Sequence, residues 1–531
     1  IVYWYDYAEF RIVHFYAYRA LTSATEQLYI SFPIADEEGR SLLASPYLRR
    51  LQQMFTTPIH QQTYLSDMTE LPEFEQFPYI GHPKATLNYL IAQMQQLKIG
   101  GHIAPIWQEV YNWFTIKENE YYSIAKQALT SLSYENVAQP LAAKTAKDLF
   151  NNDITASVSR MEKFFGCHFS HFASHGLKLR EREVYRLESV DIGQIFHSAM
   201  EDISQRLKEN GIEWGSLTAD DISQLAKDAI AVLRPVYHYE ILLSSNKMGY
   251  ISHKLQAIIE KAAQALNEQA RNSKFSPSNF EVGFGKEEVI PALTLPLKEG
   301  TISLQGRIDR IDVADYQGQN YLRLIDYKSS DRAVDFTEVY HGIALQMLTY
   351  LDIAVTNAAK LVNAPAEAAG MMYFHMHNPF IEYKQELKQE DIEKDMLKEF
   401  KMDGWVLDNK AIVEMMDTTL EPGKTSTTIP VNYVKSGDFG SRSKVLSEQE
   451  FNVLRGFVRK QYQQGGNLIL QGDVAINPYQ LDSKTPCQFC DYRSICQFDV
   501  ANDKNSYRVI ESDKQADVLK KMGEELEQND K

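Results

Sequence analysis

The feature that most restricts the fold is a pair of apolar runs, "TISLQGRIDRIDVAD" and "YLRLIDYKSS", set apart only by a short polar turn within "ADYQGQN". Runs of this composition read as strands, and so short a connection pairs them as an antiparallel hairpin. The helical pattern "YHGIALQMLTYLDIAV" follows, then a further strand, "AAGMMYFHM". Strands, a helix and another strand in that order imply an α/β fold, a mixed-sheet core embedded in helices.

Side chains alternate along a strand, so Asp326 and Lys328 project from one face with Leu322 and Leu324, and Arg323, Ile325 and Tyr327 from the other. Opposite charges at the end of an apolar run have two readings. One is a surface ion pair, worth little. The other is an active-site edge, where a carboxylate holds a metal and an ammonium steadies developing charge. Hairpin pairing brings Asp309 of "GRIDRID" close enough to Asp326 for the two to share a divalent cation. Without a metal, paired carboxylates repel and one pKa rises; Mg²⁺ reverses the penalty, keeps several waters and accepts phosphate oxygens.

Two helices add polar groups at helical spacing. Gln346 and Tyr350 stand four apart and share a face. Gly193 and His197 do so on "DIGQIFHSAM", within a helix expected over about 192–208 with Ile192, Ile195, Phe196, Ala199 and Ile203 as its apolar stripe. Gly193 would leave space beside the imidazole. A lone helical histidine is more often a satisfied core or surface residue than a ligand.

A chain of 531 residues is long enough for several domains. Its net charge of −16 argues against a protein that coats nucleic acid generally, though not against an enzyme that grips it in one channel. No apolar run approaches a membrane span, and no signal pattern opens the chain. Beginning at Ile1, it reads as the C-terminal part of something larger. A strand is expected at "EQLYISFPI" within residues 1–55, and mostly helix over 56–150. A new unit opens at "SVSRMEKFFGCHF", where Ser159 and Glu162 fit a capping box and Gly176 a helix stop. That unit is taken as 151–500, with a long loop over 417–445 and a charged tail over 501–531 that forms a solvated helix or a frayed end.

The four cysteines are few for a disulfide-built fold. Cys167 stands alone, while Cys487, Cys490 and Cys496 crowd into "CQFCDYRSIC". A C-x2-C-x5-C cluster with one remote partner suits a thiolate tetrad on zinc or on an iron–sulfur cluster, and spacing alone does not separate the two.

His197, "GRID", "DYK" and "QMLTY", in that order, resemble the RecB-like branch of the PD-(D/E)xK nucleases. The resemblance implies that His197, Asp309, Asp326 and the backbone carbonyl of Tyr327 hold Mg²⁺. Lys328 would position the attacking water and stabilise the phosphate, with Gln346 and Tyr350 supporting the site. It also implies that Cys167, Cys487, Cys490 and Cys496 bind a [4Fe–4S] cluster that staples the domain's ends together. "SVSRMEKFFGCHFSHFASHGLKLRERE" and "GDVAINPYQLDSKTPCQFCDYRSICQFD" are similar to the B-subunit family of bacterial AddAB (RexAB) helicase–nucleases. "YRALTSATEQLYISF" resembles the last motif of UvrD-like motors, with Ser23 where an arginine would contact ATP. By that resemblance residues 1–55 end an inactive helicase-like domain and 56–150 link it to the nuclease. The implied function is cytoplasmic resection of DNA double-strand breaks together with an A subunit, responsive to Chi. The B-type nuclease would degrade a single strand of DNA 5′→3′. The alternatives are a stand-alone iron–sulfur exonuclease, a non-catalytic DNA-binding scaffold and a zinc-stabilised interaction module.

Overall fold

The structure is a computed structural model describing residues 7–35, 40–55, 68, 71–133, 135–182, 185–236, 240–379, 389–501 and 504–529. It divides into two compact units, Ile1–Ser133 and Tyr134–Lys531.

In the first unit, helices Pro83–Lys98, Pro105–Thr115 and Tyr122–Thr130 enclose a small core of Leu87, Leu90, Trp107, Val110, Phe114 and Ala125. Two of them begin on proline, whose missing N–H costs nothing at a first helical position. The buried Trp107 indole donates to Gln76 Oε1 at 2.7 Å. The run expected as a strand, "EQLYISFPI", joins no ladder among the described residues; Leu42 N–H donates to Ile34 O at 2.8 Å beside an isolated bridge of Ala35 with Ser41, and Leu28, Ile30, Phe32 and Ile34 are exposed. A strand is defined by its neighbour, and an apolar run alone does not supply one.

The second unit is built on one mixed eight-stranded sheet. Its strands are β1 (Asp153–Ser157), β2 (Ser276–Phe284), β3 (Leu293–Pro296), β4 (Thr301–Tyr316), β5 (Gln319–Lys328), β6 (Ala366–His375), β7 (Asp403–Leu407) and β8 (Val445–Leu446). Strand β4 is the spine. β1 lies parallel and β3 antiparallel to its first residues, β2 and β5 antiparallel to the rest. From β5 the sheet continues through a parallel β6, an antiparallel β7 and a parallel β8. The expected β4–β5 hairpin turns at Gln317 and Gly318, with φ of 55° and 84°. Two left-handed residues make the turn whose twist matches paired strands.

Helix Ser189–Glu209 packs on β2 and β5, and helix Gln346–Thr356 on β5 and β6. Helix Glu448–Leu470 lies against Gln346–Thr356 and is tied to it by Asp352, which accepts from Arg455 Nε at 2.9 Å and Arg459 Nε at 2.7 Å. Two local expectations change. Ser157, not Ser159, caps helix Val158–Gly166, accepting from Arg160 N at 3.2 Å, and Glu162 turns elsewhere. The charged C-terminal residues form a helix, one of the two expectations, but it is docked and not solvated all round. Helix Gln515–Asn529 buries Val518, Leu519 and Met522, and Glu525 pairs with Lys460 at 2.7 Å.

Candidate active site

The β4–β5 ladder ends at the pair Arg310 and Ile325. The next pair in register is Asp309 and Asp326, and there the strands part. Tyr327 N–H, which would otherwise lose its partner, donates to Asp309 Oδ2 at 2.9 Å. The hairpin therefore opens into a mouth lined by two buried carboxylates. Gly306, the glycine of "GRID", lies opposite Phe284, and a Cβ there would come within 2.8 Å of that ring. Phe284 in turn meets Tyr350 edge-on at 5.8 Å, so the missing side chain lets an aromatic floor close beneath the mouth.

Helix Ser189–Glu209 delivers His197, whose Nδ1 lies 3.1 Å from Asp309 Oδ2. Gly193 faces the far end of β5, where its Cβ would touch Ser329 Oγ at 3.4 Å; its smallness clears the strand end, not space beside the imidazole. Lys328 Nζ sits 2.5 Å from Asp326 Oδ2 and donates to Gln346 Oε1 at 3.0 Å. Gln346 Nε2 then donates to Tyr350 OH at 3.1 Å. His197, Asp309, Asp326, Tyr327, Lys328, Gln346 and Tyr350 thus meet at one place.

One member was missed in the sequence. Glu281 falls on β2 between the pairs Phe280–Arg310 and Val282–Ile308, and so faces Asp309. Its φ of 45° is left-handed, a conformation that costs a non-glycine residue about 1–3 kcal/mol and persists at functional sites. Donor atoms of His197, Glu281 and Asp309 all lie within 4.8 Å of one another. The signal available in "NFEVGF" was one acidic residue in an apolar strand, which no spacing rule singles out.

The carboxylates crowd one another. Burial and then the charge of Asp309 push Asp326 up to about 7, against the pull of Lys328 and His197. Burial and Asp309 likewise push Glu281 up to about 8. Burial alone would lower His197, but the hydrogen bond and charge of Asp309, with the charge of Asp326, outweigh it and raise the imidazole. Asp326 Oδ1 is buried with no hydrogen-bond partner, although Lys328 takes the other oxygen. An orphaned carboxylate oxygen beside an imidazole and two more carboxylates is a donor set suited to a hard divalent cation. His197, Glu281 and Asp309 fit such an ion, while Asp326 lies outside that group of three.

The four cysteines line one cavity with Ser170, Arg493 and Tyr507. Cys167 stands where helix Val158–Gly166 breaks. The Cys487–Cys496 segment is held by Asn136 Nδ2, which donates to Cys496 O at 2.7 Å. Parallel strands β9 (Tyr479–Leu481) and β10 (Arg508–Ile510) flank the cysteine segment, and Arg508 donates to Phe165 O. Burial raises the thiols of Cys167, Cys487 and Cys496. Among the described residues no three thiol sulfurs lie within 4.8 Å of one another.

The profile of the PD-(D/E)XK nuclease superfamily matches residues 155–497, which enclose this hairpin mouth and all four cysteines. Residues 72–131 match the ATP-dependent helicase/deoxyribonuclease AddB fifth domain, the stretch that forms the small helical core. The B subunit of the ATP-dependent helicase/deoxyribonuclease of Listeria welshimeri is 48% identical over 507 residues, 95% of this chain and 44% of that protein. Its counterpart in Bacillus pumilus is 43% identical over 516 residues, 97% of this chain and 44% of its own length. That of Bacillus anthracis is 40% identical over 520 residues, 96% and 44%. The chain therefore spans less than half the length of these relatives. A profile that covers more than half of the chain decides the family: the chain belongs to the PD-(D/E)XK nuclease superfamily.

Proposed function

We propose that this chain is the nuclease part of a helicase–nuclease B subunit and hydrolyses phosphodiester bonds in single-stranded DNA with Mg²⁺. The reading rests on the hairpin mouth, where Asp309 and Asp326 face each other and Lys328 is held beside them. His197, Glu281, Asp309 and Asp326, with the Tyr327 carbonyl, would hold the ion. When bound, Mg²⁺ lowers the pKa of a water and relieves charge on the scissile phosphate. Lys328 presents a fixed ammonium to the phosphate oxygens, its direction set by Gln346 and braced by Tyr350. Buried walls exclude competing water and strengthen that charge.

The cysteine pocket is read as the seat of a [4Fe–4S] cluster with a structural role. The reading is supported by the gathering of all four cysteines around one cavity. In the full assembly the chain would act with an A subunit on breaks in duplex DNA, digesting the 5′-ended strand in the cytoplasm under control of Chi. The N-terminal residues would be the end of a helicase-like domain without motor activity, Ser23 standing in for the arginine finger. Among the described residues no helix is long and apolar enough to cross a membrane.

The test is digestion of end-labelled single-stranded DNA by anaerobically purified protein, with Mg²⁺ or EDTA, by wild type and Lys328→Ala. Cutting that requires Mg²⁺ and disappears in the variant is expected, and the product ladder gives polarity. A folded, cluster-loaded protein that cuts nothing, even with an A subunit added, leaves the scaffold reading in its place.

A further inference from the structure

Helix Gln346–Thr356 has no side-chain cap from the residue before it. Its first amide groups are held instead by Glu162, from a segment more than 180 residues earlier. Glu162 Oε1 accepts from Leu345 N at 2.7 Å and from Gln346 N at 3.1 Å. Glu162 is available for this because Ser157 caps Glu162's own helix. Gln346 is thereby fixed at both ends, by Glu162 at the backbone and by Lys328 and Tyr350 at the amide. Lys328 is shared between two acceptors: its ammonium lies 2.5 Å from Asp326 Oδ2 while it donates to Gln346 Oε1, and an ammonium left with the carboxylate alone is drawn away from a phosphate.

We infer that Glu162 is a positioning residue for Lys328, acting through the start of the Gln346 helix. The inference rests on the nuclease reading of the site. Without the carboxylate, the amides of Leu345 and Gln346 lose their acceptor, Gln346 swings, and Lys328 keeps Asp326 without the amide that shares and directs it. The substrate's binding contacts are left as they were. Misplacing one group by about 1 Å costs about 100-fold in rate, so the effect belongs in turnover and not in affinity.

The experiment uses the full chain and its Glu162→Ala, Glu162→Gln, Gln346→Ala and Glu162→Ala/Gln346→Ala variants. It follows cutting of end-labelled single-stranded DNA and amide hydrogen exchange over residues 343–350. Glu162→Ala should lower kcat by about 10- to 100-fold with KM changed by less than about threefold, and should speed exchange at Leu345 and Gln346. Glutamine keeps an acceptor oxygen, so Glu162→Gln should restore kcat to within a few-fold and restore slow exchange. The double variant should cut about as well as the worse single variant, because both changes break one link. Wild-type kcat in Glu162→Ala, equal impairment in Glu162→Gln, or additive losses in the double variant each overturn the inference. If wild type itself does not cut, the nuclease reading has failed, and unchanged exchange in Glu162→Ala then overturns the clamp separately.

Discussion

Asp326→Asn should make the metal-free protein more stable at pH 8, although it destroys the proposed site. Asp326 is buried and its pKa is pushed up to about 7 from an ordinary 3.8. A carboxyl with a raised folded-state pKa binds its proton more tightly in the folded protein. Its contribution to stability is whole below about pH 4 and is lost as pH rises through about 7. A rise of about three pKa units corresponds to about 4 kcal/mol at pH 8, the upper bound of the gain from a neutral isostere. Lys328 loses a partner in the exchange, so about 2–4 kcal/mol is expected. For a unit of about 400 residues, with about 2.1 cal/mol/K of unfolding entropy per residue, that raises Tm by about 2–5 °C. The assay is thermal unfolding of chelator-treated protein at pH 5 and pH 8, with and without Mg²⁺. The gain should be largest at pH 8, fall to less than half at pH 5, and shrink when Mg²⁺ stabilises the wild type alone. An Asp326→Asn protein less stable than wild type at pH 8, or a difference that ignores pH, refutes the reasoning.

Glu281→Gln should raise the Mg²⁺ concentration for half-maximal cutting at least about tenfold, the lower range for weakening groups around a metal, as read by titration at fixed DNA. Asp312→Asn should cost about 3–5 kcal/mol, because the buried Arg310 and Arg323 guanidinium groups both depend on that carboxylate. By the same entropy this lowers Tm by about 4–6 °C in a thermal melt, with the hairpin mouth chemically untouched. Cys167→Ser should reduce iron and acid-labile sulfide from about four per chain to a small fraction and increase proteolysis between residues 477 and 507; full iron loading in the variant would remove Cys167 from the ligand set.

The hairpin, its register and the helices bearing His197 and Gln346 were legible because each rests on a local rule. A two-residue polar turn fixes the partner of β4, and alternation then places Asp309 against Asp326. What escaped depended on distant partners. Glu281 acquires meaning only through the strand it lies beside, and its left-handed backbone breaks the alternation that would have pointed it out. Glu162 matched a capping rule three residues from Ser159, yet its acceptor oxygen serves amides 183 and 184 residues later. The C-terminal helix was judged by its charge, while Val518, Leu519 and Met522 already formed an apolar face at helical spacing.

The cysteine cavity also sets a timetable for synthesis. Cys167 leaves the ribosome with about 330 residues still to come before Cys496, which at about 5–20 residues per second is a wait of roughly 15–65 s. Throughout that interval the helix ending at Cys167 lacks Arg508, which later grips Phe165, and the thiol lacks the other three sulfurs that share its cavity. The first strand of the sheet, β1, is in the same position, since its partner β4 begins only at Thr301. Assembly of this unit therefore waits on synthesis of the segment from Cys487 to Arg508. A truncation just short of the cysteine segment should yield a chain that holds most of its strands but cannot fasten the helix that ends at Cys167.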